Sequence, residues 1–284
     1  MKRSSKSKMS LPKKIFLWVF GILVILAIVA VVYVAAKIFI TGNKIHNPLD
    51  RNHSELRDKK VSLNDGDPFT IALFGVDSDA DRKKKGGGER SDSIMILSIN
   101  PKTKKTEIVS IPRDTRAEIV GRGTTEKIAH AYAYGGPNMA VKSLEKLMNV
   151  PIDHYATIDM DGLHNMIDSI GGVDVVSNDT FTVDGVRFTK GQQIVLEAMA
   201  NKIASPSSIT HFNSLMNEIQ NNVKTDLTLG DLNTIRSNYK DANDTINKHQ
   251  LSGQGGIQSD GLYYFIPSEQ SKAESTKLLK DNLE

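Results

Sequence analysis

The chain has 284 residues, no cysteine, and a formal net charge of +3 at pH 7. The absence of cysteine excludes disulfide bonds and zinc–thiolate sites. Six of the 36 basic residues lie in the first 14 positions, which leaves 30 basic against 33 acidic residues after Lys14. A nucleic-acid-binding domain is expected to carry a basic surface, so this slightly acidic remainder argues against nucleic acid as a partner.

The N-terminal segment has the pattern of a membrane anchor. Residues 1–14 form a basic segment without an acidic residue, and the 22 residues Ile15–Ala36 carry no charge. A helix of that length covers about 33 Å, enough to cross the hydrocarbon core, and it is longer than the apolar region of a cleaved signal peptide. The excess of cations before the span predicts a single-pass protein of the cell membrane, with a cytoplasmic N-terminus and an extracellular C-terminal domain.

Three further regions follow the predicted span. Residues 37–67 are polar, contain turn-forming pairs such as Asn47-Pro48, and are predicted to be an extracytoplasmic linker. Residues 68–267 are predicted to form one domain, because about 200 residues are enough for one sizeable core. Residues 268–284 are polar and are predicted to form a peripheral tail.

Within the domain, apolar runs alternate between strand-like and helical spacing. The predicted strands are Phe69–Val76, Ile94–Ile99, Glu107–Ile111, His154–Ile158, Val173–Val176, a hairpin over Thr180–Phe188, and Leu262–Pro267. The predicted helices are Pro137–Met148, a helix capped by Asp161 and ended by Gly171-Gly172, Ile194–Ile203, Ile209–Ile219 and Leu229–Lys240. Strands that alternate with helices predict an α/β layered domain.

The most informative stretch is the predicted hairpin around the turn Asn100-Pro101-Lys102. Arg90 and Asp92 precede its first strand, and Arg113 and Asp114 follow its second strand. Neighbouring strands lie about 5 Å apart, so a hairpin brings these side chains to one edge of the sheet. Guanidinium groups combined with carboxylates suit a phosphate ligand that carries a divalent metal.

Each of these pairs also has a purely structural interpretation. A surface ion pair, which contributes little to stability, explains Arg90 with Asp92. The end of a strand explains Arg113 with Asp114. Because two pairs occupy matched positions of one hairpin, the phosphate site and the structural explanation are about equally supported.

Two further residues have alternative interpretations of the same kind. Asp77, directly after the first predicted strand, is either a loop-capping residue or a metal ligand at the carboxyl end of that strand. Lys127 is either a solvent-facing residue at the start of a helix or a third cation at the same edge. The seven histidines show no metal-ligand spacing and are predicted to be surface or partly buried residues.

A series of motifs between about Pro68 and Gly191 resembles the LytR-CpsA-Psr family. The motifs are, in order, Phe-Gly-Val-Asp, Glu-Arg-Ser-Asp-Ser, Ser-Ile-Pro-Arg-Asp-Thr, Lys-Ile-Ala-His-Ala-Tyr, Gly-Gly-Pro-Asn and Ile-Asp-x-Ile-Gly-Gly-Val. The resemblance implies an α-β-α layered domain with a mixed central sheet. It also implies an extracytoplasmic phosphotransferase of Gram-positive bacteria, which moves wall teichoic acid or capsular polysaccharide from a polyprenyl-pyrophosphate carrier to peptidoglycan.

The resemblance further implies roles for single residues and a set of partners. The implied roles are Mg²⁺ ligands for Asp77 and Asp92, catalytic clamping of the pyrophosphate for Arg90, Arg113 and Lys127, and pyrophosphate binding for Gln192. These roles agree with phosphoryl transfer, in which the protein mainly positions groups and neutralises charge. The implied partners are a polyprenyl-pyrophosphate-linked glycopolymer, peptidoglycan and membrane lipid.

This chain departs from the family pattern after Gly191. The family continues through an Arg-x-Arg strand, an acidic loop and an Arg-x-x-Arg-Gln helix start, whereas Lys190-Gly191 here runs directly into Gln192-Gln193-Ile194. We therefore predict an internal deletion near residues 191–192 that removes several pyrophosphate-binding arginines. Two functions follow: a phosphotransferase impaired by this loss, or an inactive anchored scaffold protein that binds polyprenyl-linked glycans.

Overall fold

The computed structural model describes residues 11–77, 89–169, 171–172 and 211–284. Its first element, helix α1 (Leu11–Ile45), contains the predicted span and continues beyond it. Among the described residues, one helical segment, Ile25–Ile45, is long and apolar enough to cross a membrane, with a mean hydropathy of 2.3.

The remaining described elements alternate between strands and helices. The strands are β1 (Phe69–Asp77), β2 (Arg90–Asn100), β3 (Lys105–Ser110), β4 (Arg116–Ile119), β5 (Thr124–Lys127), β6 (His154–Asp159), β7 (Val223–Thr225), β8 (Thr245–Gln250), β9 (Gly253–Ile257) and β10 (Tyr263–Pro267). The helices are α2 (Ala129–Met148), α3 (Met160–Ser169), α4 (Phe212–Asn222), α5 (Leu229–Asn238) and α6 (Glu269–Asp281).

The main sheet is mixed, as the family resemblance implies. Its six described strands have the order β7-β6-β1-β2-β3-β8. The predicted hairpin is confirmed, because β2 pairs antiparallel with both β1 and β3. Two pairs, β1 with β6 and β3 with β8, are parallel. Strands β4 and β5 form a separate hairpin, and β9 and β10 form another.

Helices cover both faces of this sheet, because apolar residues alternate along its strands. On β1, Phe74 and Val76 point to the core shared with α2, which also receives Leu279 of α6. Ile71 points to the opposite face, where α5 contributes Ile235 to a second core. A third core lies between α3 and α4. This α-β-α arrangement confirms the predicted fold class.

Helix α2 is longer than predicted and contains a kink. The sequence predicts only Pro137–Met148, but the helical residues begin at Ala129. Gly135 and Gly136 interrupt the helical backbone, and Gly136 has φ of 59°, a conformation that favours glycine. Pro137 then starts the second segment, where its missing N–H is tolerated.

Asp161 does not cap helix α3, contrary to the sequence prediction. The side-chain oxygen Oδ1 of Asp159 accepts hydrogen bonds from the backbone N–H of Asp161 at 3.0 Å and of Gly162 at 3.2 Å. Asp159 is therefore the cap, and the helix begins at Met160, two residues earlier than a cap at Asp161 predicts. Its predicted end is confirmed, since Gly172 adopts φ of 79° and donates its N–H to the carbonyl of Ile167.

The predicted linker is wrong for residues 46–67, which pack on the domain. The guanidinium of Arg51 binds the carboxylate of Glu145 on α2, with Nη1 and Oε2 2.6 Å apart. Ser54 is fully buried and donates its hydroxyl to the same carboxylate. Leu63 joins the core beside α5. These buried contacts hold the segment against the domain rather than letting it act as a free spacer.

The predicted peripheral tail is also wrong, because residues 268–284 contain α6 and complete the core. Ser268 caps the helix by accepting the N–H of Ser271 at 3.2 Å. Leu279 is fully buried in the core beside α2. Asn282 Nδ2 donates to the carbonyl of Ser98 on β2 at 2.8 Å. The segment is polar in composition, yet two of its polar residues, Ser275 and Asn282, are buried together with Leu279.

Among the other predicted elements, two helices have shifted ends, one strand is confirmed, and three elements cannot be compared. The helix predicted at Ile209–Ile219 runs from Phe212 to Asn222, and the one predicted at Leu229–Lys240 ends at Asn238. The last predicted strand is confirmed as β10. The predictions for Val173–Val176, Thr180–Phe188 and Ile194–Ile203 lie outside the described residues.

Candidate active site

A β-bulge shapes the edge of the sheet where the predicted site residues lie. Gly75 pairs with Ser93 and Val76 pairs with Ser91, so Asp92 is the extra residue of β2 at this bulge. Bulges re-aim side chains and are over-represented next to active sites. At this bulge, Asp92 Oδ1 accepts a hydrogen bond from Arg113 Nη1 at 2.6 Å.

Three carboxylates surround the guanidinium of Arg113. Asp77 and Arg90 are paired residues at the ends of β1 and β2. Burial lowers the pKa of Arg113, but the hydrogen bond to Asp92 and the charges of Asp92, Asp114 and Asp77 raise that pKa overall. Arg113 is therefore a permanently charged cation that is held among acidic groups at the sheet edge.

Lys127 joins the same edge from the hairpin of β4 and β5. Its Nζ lies 2.7 Å from Asp114 Oδ1. The backbone next to it is tied to the end of β3, because the N–H of Ala129 donates to the carbonyl of Arg113 at 3.2 Å. Of the two interpretations from the sequence, the structure favours Lys127 as a third cation at this edge.

The structure thus brings together five of the six predicted site residues. They are Asp77, Arg90, Asp92, Arg113 and Lys127, and they come from the ends of β1, β2 and β5 and from the segment after β3. Gln192 lies outside the described residues. The roles assigned to all six stay predictions.

Two of these residues have the chemistry of a magnesium site. Among the described residues, no group of three or more His, Cys, Asp or Glu side chains is arranged to hold a metal ion. Mg²⁺ needs fewer protein ligands, because it is usually bound by one or two carboxylates with phosphate oxygens and water. Asp77 and Asp92 would supply the two carboxylates of such a site. The described part of the chain does not contain a metal site built from protein ligands alone.

A second polar cluster, which was not predicted from the sequence, lies beside this edge. Glu126 accepts hydrogen bonds from Tyr134 at 2.7 Å and from Thr124 at 2.7 Å, and its carboxylate lies 3.0 Å from His130 Nδ1. Burial raises the pKa of Glu126, but these hydrogen bonds lower it to about 2. The available signal was the spacing of His130 and Tyr134, which puts both on one helix face.

An apolar pocket of about 190 Å³ opens under α3, on the face of the sheet opposite to the one that α2 covers. Its walls include Leu73, Gly75, Met95, Ile158, Met160 and Leu163. Gly75 permits this packing, because a Cβ atom there would lie 2.9 Å from Met160 Sδ. The pocket therefore reaches the stretch of β1 that leads to Asp77.

The LytR_cpsA_psr family model matches residues 32–193 and 187–281 of this chain. The chain belongs to the LytR-CpsA-Psr family. The resemblance drawn from the sequence motifs is thereby confirmed, and the two matches extend it to most of the described C-terminal elements.

Individual members of the LytR-CpsA-Psr family are similar over nearly the whole chain. The chain is 36% identical over 281 residues to the polyisoprenyl-teichoic acid–peptidoglycan teichoic acid transferase TagU of Bacillus subtilis (strain 168), with 89% of each chain covered. It is 36% identical over 306 residues to TagU of Bacillus cereus (strain AH820), with 96% of this chain and 98% of the relative covered. A solved structure of TagT bound to LIIa-WTA has a TM-score of 0.66 at 26% identity and covers 84% of this chain and 99% of TagT.

Two of these matches concern the internal deletion that is predicted near residues 191–192. The two matched stretches of the family model meet at residues 187–193. The alignment with the Bacillus cereus relative spans 306 residues, more than the 284 of this chain. That relative therefore contains residues that this chain lacks.

Proposed function

We propose that this protein is a membrane-anchored phosphotransferase, which moves wall teichoic acid or capsular polysaccharide from a polyprenyl-pyrophosphate carrier to peptidoglycan. The observation that carries the proposal is the meeting of Asp92, Arg113 and Lys127 at one sheet edge of a LytR-CpsA-Psr domain. The names of the TagU relatives support the teichoic acid and peptidoglycan part of the proposal.

In this reaction the cations bind the pyrophosphate of the donor. Arg90 and Arg113 can each donate two parallel hydrogen bonds to phosphate oxygens, and Lys127 adds a point charge. The carboxylates that hold Arg113 and Lys127 keep both cations in place before the donor arrives. Preorganised charge of this kind stabilises the charge that develops in phosphoryl transfer.

The acidic residues of the edge would hold the cofactor. Asp77 and Asp92 would bind Mg²⁺, which supplies additional neutralisation of the phosphate oxygens when it is bound. Asp92 also accepts a hydrogen bond from Arg113. One carboxylate would therefore contact both the metal ion and the cation that binds the phosphate.

The apolar pocket would receive the polyisoprenyl chain, and helix α1 lies near it. Tyr33 donates its hydroxyl to Asn213 Oδ1 at 3.0 Å, and Lys37 Nζ donates to Asn217 Oδ1 at 2.9 Å. Both acceptors belong to α4, which packs on α3 above the pocket. We infer that α1 anchors the protein in the cell membrane with its N-terminus in the cytoplasm, which keeps the enzyme close to a lipid-bound donor.

A second candidate is an inactive, anchored protein that binds polyprenyl-linked glycans without transferring them. The junction of the family matches at residues 187–193, where we infer an internal deletion, supports this candidate. If the missing segment carried pyrophosphate-binding arginines, each lost contact would reduce the stabilisation of the transition state by about 1.5–3 kcal/mol.

One experiment separates these candidates. The full chain, purified in detergent, is incubated with lipid-linked glycopolymer, peptidoglycan and Mg²⁺, and covalent transfer and donor binding are both measured. Transfer supports the phosphotransferase, and binding without transfer supports the scaffold protein. The absence of both binding and transfer would contradict both candidates.

A further inference from the structure

A histidine–glutamate pair lies at the solvent-accessible surface beside the cations. His130 Nδ1 is 3.0 Å from Glu126 Oε2, and an ionised carboxylate only accepts hydrogen bonds. Nδ1 therefore carries the proton, and Nε2 of the neutral imidazole presents its electron pair. No hydrogen bond to Nε2 occurs within the described residues, and the side chain is 24% exposed.

The pair lies next to the proposed donor-binding cations. Glu126 immediately precedes Lys127 on β5, and Ala129, the neighbour of His130, is hydrogen-bonded to the backbone of Arg113. The charge of Arg90 acts on the Tyr134 hydroxyl, which donates to the same Glu126 oxygen as His130. The pair is therefore tied through the backbone to the segments that carry Arg113 and Lys127, and Arg90 is close enough to act on Tyr134.

Several groups hold the glutamate in place. Thr124 Oγ1 donates to Glu126 Oε1 at 2.7 Å, and Tyr134 donates to Oε2 at 2.7 Å. The Arg122 guanidinium lies 3.8 Å from the centre of the Tyr134 ring. The hydrogen bonds from Thr124 and Tyr134 therefore fix the orientation of the carboxylate that faces the imidazole.

Two other carboxylates of the edge, Asp92 and Asp114, are less suited to accept a proton. Asp92 is bound by Arg113 at 2.6 Å, and Asp114 is bound by Lys127 at 2.7 Å. Each carboxylate is therefore already neutralised by a cation. His130 has the opposite arrangement, because its partner is an anion that stabilises the imidazolium formed when Nε2 takes up a proton.

We propose that His130 accepts the proton of the incoming peptidoglycan hydroxyl, with Glu126 as its positioning residue. This inference rests on the proposed phosphotransferase function. In the step, the hydroxyl oxygen forms a bond to the phosphorus that carries the glycopolymer. The bond from that phosphorus to the polyprenyl phosphate breaks, the polyprenyl phosphate leaves with the electron pair, and the hydroxyl proton moves to His130 Nε2.

The pH dependence of transfer can report this role, because the groups that face the imidazole do not titrate near neutrality. Glu126 on β5 has a pKa of about 2, and the hydrogen bond to Glu126 raises the pKa of Tyr134 on α2 above its ordinary value. Arg122 in the turn after β4 and Arg90 on β2 stay charged. A change in the pH profile of transfer when His130 is replaced would therefore report the imidazole.

The test compares His130→Gln and His130→Ala with a matched control, His249→Gln. His249 is also a partly exposed histidine bound to a glutamate, with Nε2 2.7 Å from Glu107. We expect both His130 variants to transfer glycopolymer about 10²- to 10⁴-fold more slowly than the wild type and to bind the donor equally well. His130→Gln should change the pH profile of transfer, added imidazole should partly restore His130→Ala, and the control should match the wild type.

Each other outcome has a defined meaning. Variants of His130 that transfer at the wild-type rate with the wild-type pH profile would overturn the proton-acceptor role alone. Loss of donor binding in His130→Gln would also overturn it, because the residue would then act in binding. A wild-type chain that neither transfers nor hydrolyses the donor would overturn the phosphotransferase function and this inference together.

Discussion

Asp92 Oδ1 and Arg113 Nη1 lie 2.6 Å apart at a bulge where β2 has one residue more than β1. Asp92 is that extra residue, so it is released from the regular alternation of the strand. The contact couples a candidate metal ligand to a candidate phosphate-binding cation. Several expectations about donor binding follow from this coupling.

Arg113→Ala should weaken binding of a polyprenyl-pyrophosphate analogue. A charge-assisted hydrogen bond contributes about 1.5–3 kcal/mol, which corresponds to a roughly 10- to 100-fold loss of affinity. Isothermal titration calorimetry on the full chain in detergent measures the dissociation constant. Arg236→Ala, in the last turn of α5, is the control and should retain wild-type affinity. Equal losses in the two variants would contradict the role of Arg113.

Mg²⁺ should strengthen donor binding through Asp77. Asp77→Asn keeps the shape of the side chain but removes the charge, so the gain in donor affinity on adding Mg²⁺ should shrink at least several-fold. The measurement is donor affinity with Mg²⁺ and with excess chelator. Asp58→Asn changes an exposed carboxylate elsewhere and should keep the full Mg²⁺ effect. If chelation leaves wild-type affinity unchanged, the metal assignment is wrong.

Leu279→Ala should destabilise the domain, because Leu279 of α6 is fully buried in the core beside α2. Replacing a buried leucine by alanine typically lowers the free energy of unfolding by about 2–5 kcal/mol. Leu262→Ala is the control, since Leu262 is 53% exposed and should change stability little. Chemical denaturation followed by circular dichroism measures both variants. A wild-type unfolding curve for Leu279→Ala would mean that α6 does not contribute to the core.

Glu107 should make the stability of the domain depend on pH in the acidic range. Burial raises its pKa, but hydrogen bonds from Lys105, Asn247 and His249 lower the pKa below the ordinary 4.5 overall. A carboxyl with a lower pKa in the folded than in the unfolded state stabilises the fold above the unfolded value. That contribution is lost as the pH falls through the folded pKa.

Glu107→Gln should therefore be less stable than the wild type at pH 6, and this difference should shrink steadily as the pH falls below about 4.5. Urea unfolding at a series of pH values measures the free energy of unfolding of both proteins. A difference that stays constant down to pH 2 would show that the Glu107 carboxylate is not the group responsible.

Local chemistry explains why the hairpin of β2 and β3 could be predicted. The apolar runs mark the strands, and the turn between them has a mechanism that acts within a few residues. Asn100 Oδ1 accepts the N–H of Lys102 at 2.9 Å and that of Thr103 at 3.2 Å. The convergence of Arg90, Asp92 and Arg113 followed from the antiparallel pairing.

The packing of the polar segments could not be predicted, because their contacts are distant in the chain. Arg51 pairs with Glu145, 94 residues away, and Asn282 binds Ser98, 184 residues away. A polar residue that will be satisfied by such a partner has the same composition as one that stays in water. The segments 46–67 and 268–284 therefore resembled a linker and a tail.

The order of apolar and polar residues by itself determined the long apolar N-terminal helix, the α/β layered class and the hairpin, because periodicity and turn chemistry act over a few residues. The tertiary structure alone decided the bulge at Asp92, the contact of Arg51 with Glu145 and the contact of Asn282 with Ser98. These features depend on strand register and on partners far away in the chain, which meet only when distant segments pack and their buried polar groups find partners.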